Sequence, residues 1–411
     1  MNDALANKLS GSTSAPEAPQ PQFFDLSDTK DAQQLEALLN QKPQTRVVDT
    51  YETQLLELLI LNNPPLQNMP EDREKQFATH RDEHFGSSEP WQAGKWVYLS
   101  WRHALLHILD DDAYQQVRTG RNRHLITPEE QTKFYNATIG IAGLSVGNSV
   151  ALAIVQSGGG KHMRLADPDT LELTNLNRIR GSIAELTEPK VYMTARQIYE
   201  LDPYADLKLF TDGITEENIA EFVTDLDVMV DEIDNLGIKI RIRQECKPQR
   251  IPIVMAADNG DGGILDVERH DLDDDIEFFH GRAKGDIADR VLNQELPQPL
   301  IGRIIGEELI GYDVTDSRMQ ESLLEIGQSI PTWPQLGTAA WLNGVAVAAT
   351  VRRIITGQSV VNNRANLSLN SWLVPDWNAA DAVKARAAKT TTFAKEFNAR
   401  IDAFIKKISG N

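Results

Sequence analysis

The chain has 411 residues and one cysteine, and its 60 Asp and Glu outnumber 41 Lys and Arg, giving a formal net charge of −19. This length accommodates two or three domains. The negative charge disfavours a protein held on nucleic acid or anionic lipid by a general field. The single thiol, Cys246, excludes an internal disulfide and a cysteine-based zinc site. We therefore expect a cytoplasmic protein with no membrane span and no general nucleic-acid binding.

The N-terminal part of the chain carries helical patterning without identifiable chemistry. Residues 1–22 are rich in Ser, Pro, Ala and Gln and predict a disordered leader without a secretion signal. Residues 23–115 predict a helical region, because apolar residues recur at three- and four-residue spacing. The predicted helices are Asp31–Leu39, Tyr51–Leu61, Glu71–His84 and Trp101–Leu109.

Two histidine pairs in this region have the four-residue spacing that helical zinc sites use, namely His80 with His84 and His103 with His107. Neither pair is followed by a convincing third ligand, although Glu83 lies near the first. We therefore interpret both pairs as ordinary surface or core histidines.

The stretch from Thr138 onward predicts a strand (Thr138–Ala142), a glycine-bearing turn, an apolar helix (about 147–157) and a second strand (His162–Ala166) that ends in Asp167. This order is typical of the first βαβ unit of a nucleotide-binding sheet. Backbone N–H groups at the helix start face phosphate in such units, and the acid can reach ribose hydroxyls.

The glycine pattern of that turn is imperfect. The expected G-x-G-x-x-G appears as Gly143-x-Ser145-x-Gly147-Asn148. The flanking strands, helix and acid nevertheless favour nucleotide binding over an ordinary strand–helix turn.

Strands and helices continue to alternate after this unit, which predicts a parallel sheet covered on both faces. We expect an α/β fold, a doubly wound, mainly parallel Rossmann-like sheet preceded by the helical N-terminal region. The further predicted elements are helix Pro189–Leu201, strand Asp206–Phe210, helix Glu216–Val223, strand Asp227–Asp231, helix Leu236–Lys247 and strand Ile251–Ala256.

Beyond Asp258 the alternation is lost. We assign residues 116–375 to the nucleotide-binding domain and residues 376–411 to a helical tail. The acidic run Asp271–Glu277 does not match a calcium loop and predicts an exposed loop. The predicted elements are a turn (Asp258–Gly263), helices Asp316–Ile326 and Thr338–Thr356, a strand within Asn366–Val374 and a tail helix Ala379–Ile408.

Charged and polar residues follow the predicted strand ends, where doubly wound sheets bind ligands. They are Asp167, Asn175 with Arg178, Lys190, and the segment Asp231–Asn235. When a carboxylate attacks the α-phosphate of ATP, cationic side chains and a carboxylate-held magnesium stabilise the developing charge. A nicotinamide-dependent dehydrogenase has no use for this set, so it favours adenylyl transfer.

These residues, from Arg121 to about Gln358, resemble the ThiF/MoeB-type adenylyltransferases, the superfamily that includes the ubiquitin-activating enzymes. The motifs are RNRHLITPE, the glycine loop, LADPDTLELTNLNR, EPK, DEIDN and LGTAAWLNGVAVAATVRRIITG. The resemblance implies a ThiF-like adenylation domain that uses ATP and Mg2+. It also implies a homodimer in which Arg123 reaches the phosphates bound by the other subunit.

The resemblance implies a role for individual residues of the cleft. Asp167 would bind the ATP ribose, and Asp234 would be the acid linked to magnesium. The phosphates would be contacted by the loop residues Gly143, Ser145 and Gly147 and by Asn175, Arg178 and Lys190.

Three departures qualify these expectations. Ser145 and Asn148 replace family glycines, so the loop differs in backbone shape or in its approach to the nucleotide. The paired CxxC motifs of zinc-bearing members are absent. No counterpart of the catalytic cysteine follows Ala257, and Cys246 lies within a predicted helix, where we expect a structural thiol.

Three functions remain open from the sequence. The preferred one is an adenylyltransferase that activates a carboxylate, such as the C-terminus of a ubiquitin-like or sulfur-carrier protein, a peptide or a small molecule, without a thioester step. The alternatives are a non-catalytic nucleotide-binding scaffold of the same family and an NAD-dependent oxidoreductase.

Overall fold

The structure is a computed structural model that describes residues 17–283, 286–293 and 296–408. Residues 1–16, most of the predicted leader, lie outside this range. The strands are β1 (Gln22–Phe24), β2 (Arg46–Asp49), β3 (Lys95–Leu99), β4 (Ala104–Ile108), β5 (Thr138–Ala142), β6 (His162–Ala166), β7 (Asp206–Phe210), β8 (Val228–Asp231), β9 (Ile253–Asp258), β10 (Gly262–Glu268) and β11 (Arg364–Ser368).

The α-helices are α1 (Thr29–Gln41), α2 (Tyr51–Asn62), α3 (Pro70–Phe85), α4 (Asp111–Arg118), α5 (Pro128–Asn136), α6 (Val146–Gln156), α7 (Lys190–Leu201), α8 (Ile219–Val223), α9 (Leu236–Cys246), α10 (Ile287–Leu292), α11 (Gln298–Arg303), α12 (Ser317–Leu323), α13 (Gly337–Ile355), α14 (Leu369–Leu373) and α15 (Ala380–Ile408). None of the helices in the described part of the chain combines the length and apolarity needed to cross a membrane.

The N-terminal region is not purely helical. Strands β1 to β4 form a four-stranded sheet in the order β1-β3-β4-β2. The predicted helix Trp101–Leu109 is wrong, since Ala104–Ile108 is a strand that pairs antiparallel with Lys95–Leu99. The turn between them has His103 in the left-handed region at φ 45°. The short apolar run of Ala104–Ile108 fits the spacing of a helix as well as that of a strand, and pairing within the sheet selects the strand.

The second sheet has seven strands in the order β11-β10-β9-β8-β5-β6-β7. Strands β5 to β9 pair in parallel, whereas β10 and β11 add an antiparallel edge. One face packs against α6, α7 and α13, and the other packs against α8 and α9. The predicted doubly wound, mainly parallel fold is therefore confirmed.

The sheet changes winding direction between β5 and β8, which are neighbours although β6 and β7 lie between them in sequence. Loops that leave the carboxyl ends of adjacent strands at such a point diverge and leave a crevice. The loops after β5, β6 and β8 contain the glycine turn, Asp167 and the DEIDN motif.

The C-terminal third differs from the prediction at its strands, since β10 was not predicted and β11 is displaced. Residues Asn366–Val374 divide between the end of β11 and the short helix α14. The predicted helix Thr338–Thr356 is confirmed as α13, and Gly344 brings it close to α6: a Cβ at Gly344 would lie 2.6 Å from Ser149 Cβ. The acidic run is mostly exposed, as predicted.

Candidate functional site

The glycine turn after β5 is pressed against the loop that follows β8. Gly143 has φ 86°, and its N–H donates to Ala166 O at 2.8 Å. A Cβ at this position would lie 2.4 Å from the carbonyl oxygen of Glu232. Only glycine supplies this backbone shape without strain and without displacing the neighbouring loop.

The helix after the turn, α6, is suited to binding an anion. In the described residues, no side chain caps its first turn. The N–H groups at a helix start have no intrahelical partner, and the helix dipole adds positive potential there. Gly147 is buried in this turn, where a Cβ would lie 3.0 Å from Ile141 Cγ2. Gly147 therefore serves close helix–strand packing and does not line the cleft.

Asp167 braces the turn from the end of β6. It is 5% exposed, and its two carboxylate oxygens accept from Leu144 N at 2.6 Å and from Asp169 N at 2.9 Å. Burial raises the pKa of Asp167, and the positive charge of Lys190 opposes that rise. The carboxylate thus orders the loop backbone and also forms part of the cleft wall.

Lys190 begins α7 and points to the same carboxylates. Its ammonium lies 2.8 Å from Asp169 Oδ2 and 3.9 Å from Asp167 Oδ1. The lysine is 6% exposed, whereas the side chain of Asp169 is 66% exposed. A phosphate at Lys190 would therefore compete with a solvated carboxylate.

Arg178 also lines the cleft and, unlike Lys190, forms no ion pair among the described residues. Its Nε donates to Ser145 Oγ at 2.9 Å, and its Nη1 donates to Asn177 Oδ1 at 2.9 Å. Among the described residues no carboxylate lies within ion-pair distance of it. Burial lowers the pKa of Arg178, while the charges of Asp258 and Asp234 oppose that effect. A half-buried guanidinium in this state is stabilised by an anionic ligand.

The cleft enclosed by these groups has a volume of about 650 Å3. Asn175, whose Oδ1 accepts from Glu172 N at 3.0 Å, lines it. Exposed Asp234 also lines it, and the next residue, Asn235, caps α9 by accepting from Ile238 N at 3.1 Å. The structure thus gathers seven predicted site residues at one cleft: Gly143, Ser145, Asp167, Asn175, Arg178, Lys190 and Asp234.

Arg123 and Asp231, which also belong to the predicted motifs, do not line the cleft. Arg123 lines a separate depression, beside Tyr135 and Lys161, and its Nη1 donates to Leu61 O at 2.9 Å. It takes no part in the cleft of its own chain. Asp231, the first acid of DEIDN, is fully buried and pairs with Arg243 at 2.7 Å and with Lys239 at 3.0 Å.

Ser145 and Asn148, which stand where the family has glycines, make side-chain hydrogen bonds that stabilise the site. Ser145 holds Arg178, as described above. Asn148 is fully buried, and its amide donates to Thr194 Oγ1 at 3.0 Å and to Gln197 Oε1 at 2.8 Å. Asn148 therefore fastens α6 to α7.

Two acids at or beside the cleft were given no role by the sequence reasoning, although Glu232 lies within the predicted segment Asp231–Asn235. Glu232 accepts from Ala256 N at 3.0 Å, and burial raises its pKa well above its usual range. Asp258, at the end of β9, accepts from Asn343 Nδ2 at 2.7 Å. Asp258, like Asp167, is an acid at the carboxyl end of a buried strand. The sequence pattern that predicted Asp167 could therefore have predicted Asp258 as well.

The remaining candidate ligands do not form a metal site. His80 and His84 have ring centroids 6.3 Å apart, and His84 Nε2 contacts Tyr51 OH at 2.9 Å. His103 and His107 do not lie on a helix as predicted, and His107 stacks between Trp96 and Tyr51 in the N-terminal sheet.

Cys246 also has an ordinary structural place. It is fully buried against the face of the sheet that carries α8 and α9, and burial raises the pKa of its thiol. A thiol in this setting is a poor nucleophile.

Comparison with known proteins places these observations in a family. An uncharacterized protein of Mycobacterium tuberculosis, MT1398, is 35% identical over 287 residues, 69% of this chain and 39% of that protein. The tRNA threonylcarbamoyladenosine dehydratase of Bacillus subtilis is 29% identical over 33% of this chain and 54% of that enzyme. The sulfur carrier protein ThiS adenylyltransferase of Escherichia coli is 29% identical over 34% of this chain and 57% of that enzyme.

The chain thus spans less than two thirds of the length of each of these relatives. The model of the ThiF family matches residues 119–386, which include the whole cleft. The chain therefore belongs to the ThiF family.

Proposed function

We propose that the chain is an ATP-dependent adenylyltransferase that activates a carboxylate as an acyl-adenylate. The observation that carries this proposal is Arg178, a half-buried guanidinium with no ion-pair partner among the described residues, beside the uncapped start of α6. A nucleotide phosphate would satisfy both groups at once. The glycine turn also lines the cleft, because Gly143 lets its backbone pack closely against the loop after β8.

In the proposed reaction a carboxylate oxygen of the substrate attacks the α-phosphorus of ATP, and the bond to the β-phosphate breaks to release pyrophosphate. Arg178 and Lys190 would stabilise the negative charge on the phosphoryl oxygens, and Asn175 would orient them. Asp167 would bind the ribose. Asp234 would hold Mg2+, which neutralises phosphate charge when bound. No thioester step is proposed, because buried Cys246 lies outside the cleft.

The substrate we propose is a carboxylate on a protein, a peptide or a small molecule. The likeness to a ThiS adenylyltransferase and to a tRNA-modifying dehydratase supports this class without choosing within it. We also propose a cytoplasmic homodimer in which Arg123 acts in the partner's cleft. The position of Arg123 outside its own cleft supports that arrangement.

The test is ATP–pyrophosphate exchange together with thermal shifts in ATP, AMP and NAD, with and without Mg2+. A ligand that binds only the folded state raises its stability. We expect stabilisation by ATP with Mg2+, and loss of both exchange and stabilisation in Arg178→Ala. Arg250→Ala is the matched control, since Arg250 is an exposed arginine paired with Asp274 at 3.2 Å. Unchanged exchange in Arg178→Ala would contradict the proposal.

A non-catalytic scaffold is the second candidate function. The observation that favours it is the engagement of Lys190 with Asp169 and of Asp167 with two backbone N–H groups, which leaves both side chains occupied. Binding of ATP without any exchange would support this candidate. Stabilisation by NAD alone would instead support an oxidoreductase.

A further inference from the structure

Asp258 lies at the carboxyl end of β9, one strand beyond the strand that leads into the DEIDN motif. Both of its carboxylate oxygens are held by side-chain amides. Asn343 Nδ2 donates to Oδ1 at 2.7 Å, and Gln335 Nε2 donates to Oδ2 at 3.3 Å. Asn343 is fully buried in α13, and Gln335 lies just before that helix begins. The carboxylate therefore fixes the start of α13.

A chain of hydrogen bonds continues from this point into the nucleotide cleft. The backbone oxygen of Gln335 accepts from Asn177 Nδ2 at 2.8 Å. Asn177 Oδ1 in turn accepts from Arg178 Nη1 at 2.9 Å. One end of the guanidinium of Arg178 is thus held through Asn177 and Gln335, and the other is held by Ser145. An unbroken series of hydrogen bonds thus connects Asp258 to Arg178.

Asp258 and Gln335 also line a second cleft of about 930 Å3, between the β9–β10 turn, α12 and the first turns of α15. Neither residue lines the nucleotide cleft itself. Asp258 is accordingly open to protons from the second cleft, which its partner Gln335 also lines. The hydrogen-bonded chain just described leads from this second cleft to Arg178, which lines the nucleotide cleft.

We propose that Asp258 is a positioning residue for adenylation, and that its carboxylate fixes Gln335 and Asn177 and thereby aims Arg178 at the α-phosphate. This inference rests on the proposed function of the cleft. Loss of the negative charge at Asp258 leaves one accepting oxygen for two amide donors, so that the longer bond, from Gln335, is lost together with a favourable charge near the guanidinium. Arg178 is then free to turn away from the position in which it stabilises the transition state.

The charge of Asp258 changes within the range of ordinary assays. Burial raises the pKa of Asp258 to about 6, against the opposing effects of Asn343, Arg178 and Gln335. The other charged groups that face it are Asp234, which raises its pKa further, and Glu232, both in the loop after β8. Across the second cleft lie Asp261 in the turn and Asp316 and Arg318 on α12, whereas Asn343 on α13 is uncharged. The ionised form that holds Gln335 dominates above pH 6.

The experiment compares ATP–pyrophosphate exchange by the full chain, its Asp258→Asn variant and Asp261→Asn between pH 5 and pH 8.5, with carboxylate substrate or peptide mixtures supplied at saturation. We expect wild-type kcat to fall below pH 6. In Asp258→Asn we expect a kcat roughly ten- to a hundredfold lower at pH 7.5 and no acid limb near pH 6. Asp261 is an exposed acid of the same turn, so Asp261→Asn should retain both the rate and the limb.

Gln335→Glu provides a second variant, because it replaces the donor to Asp258 with a like charge and leaves the carboxylate in place. It should lower kcat as Asp258→Asn does, and the double variant should lose no more than either single variant. A wild-type rate in Asp258→Asn, or full additivity of the two, would overturn the positioning role while leaving adenylation intact. Absence of exchange in the wild-type chain would overturn the proposed function and this inference together.

Discussion

The close approach of Gly143 to the loop after β8 makes a quantitative prediction. In Gly143→Ala, a φ of 86° places an L-residue in the left-handed region, which costs about 1–2 kcal/mol. The new Cβ also meets Glu232 O at 2.4 Å and Glu232 C at 2.6 Å, both backbone atoms that no side-chain rotation can clear. Overpacking of this kind costs about 1–3 kcal/mol. We therefore expect a loss of roughly 2–5 kcal/mol in the free energy of unfolding.

Gly357 is the matched control. It also has a positive φ, 74°, but among the described residues no atom lies within 4 Å of the position its Cβ would take. Gly357→Ala should therefore lose only the left-handed cost, about 1–2 kcal/mol. Replacing glycine by alanine also lowers the conformational entropy of the unfolded chain, which stabilises the folded state. This gain in stability is the same in both variants and cancels in their difference.

Urea denaturation followed by tryptophan fluorescence measures both losses. The difference between the variants isolates the contact with Glu232. Equal losses would refute the close approach of the two loops. Because Asp234 lies two residues beyond Glu232, a displaced loop should also weaken the stabilisation by ATP with Mg2+ in Gly143→Ala and leave it unchanged in Gly357→Ala.

Three further predictions concern buried groups. Cys246→Ala should keep the wild-type exchange rate and lose about 1 kcal/mol of stability in urea, because it leaves a small void; a large loss of rate would show a catalytic thiol. Arg243→Met should lose about 3–5 kcal/mol in the same assay, because buried Glu268 loses its cation and buried Asp231 keeps only Lys239; an unchanged urea midpoint would contradict the ion pairs. Asp258→Asn should gain stability over the wild type as pH rises. The folded state of the wild type holds a proton up to about pH 6, whereas the unfolded carboxyl releases it near 3.8, so wild-type stability falls by up to about 3 kcal/mol across that window. Urea midpoints of the variant and the wild type at pH 4.5 and 7.5 measure this change. A decrease in the stability of the variant relative to the wild type as pH rises would contradict the prediction.

Much of the fold could be predicted because strands of a parallel sheet are continuous apolar runs, separated by helices with turn residues at their ends. Strand β5, helix α6 and strand β6 were predicted within a residue or so of their bounds for this reason. The strand Ala104–Ile108 was not, because its side chains are buried on both faces, which removes the alternation that identifies a strand. Strand β10 was missed for the same reason, since it is buried throughout, and the strand predicted at Asn366–Val374 overlaps only the end of β11.

The site could be predicted as a set of residues but not as a set of contacts. Each strand end supplies its side chain at the same edge, so Asp167, Arg178 and Asp234 were expected to converge, and the structure places them along one cleft. The partners of those side chains depend on distances that spacing does not encode. The bond from Arg178 to Ser145 and the ion pair from Lys190 to Asp169 are of this kind.

The packing of α13 on α6 has a consequence for synthesis of the chain. Helix α6 ends at Gln156, and the helix that covers its apolar face begins at Gly337 and ends at Ile355, roughly 200 residues later. At ribosomal rates of about 5–20 residues per second, the uncovered face waits roughly 10–40 s for its partner. During that time the first βαβ unit exposes Val150, Ile154 and neighbouring apolar side chains to solvent. Nascent chains stopped before residue 337 should therefore bind chaperones, and release should coincide with emergence of α13.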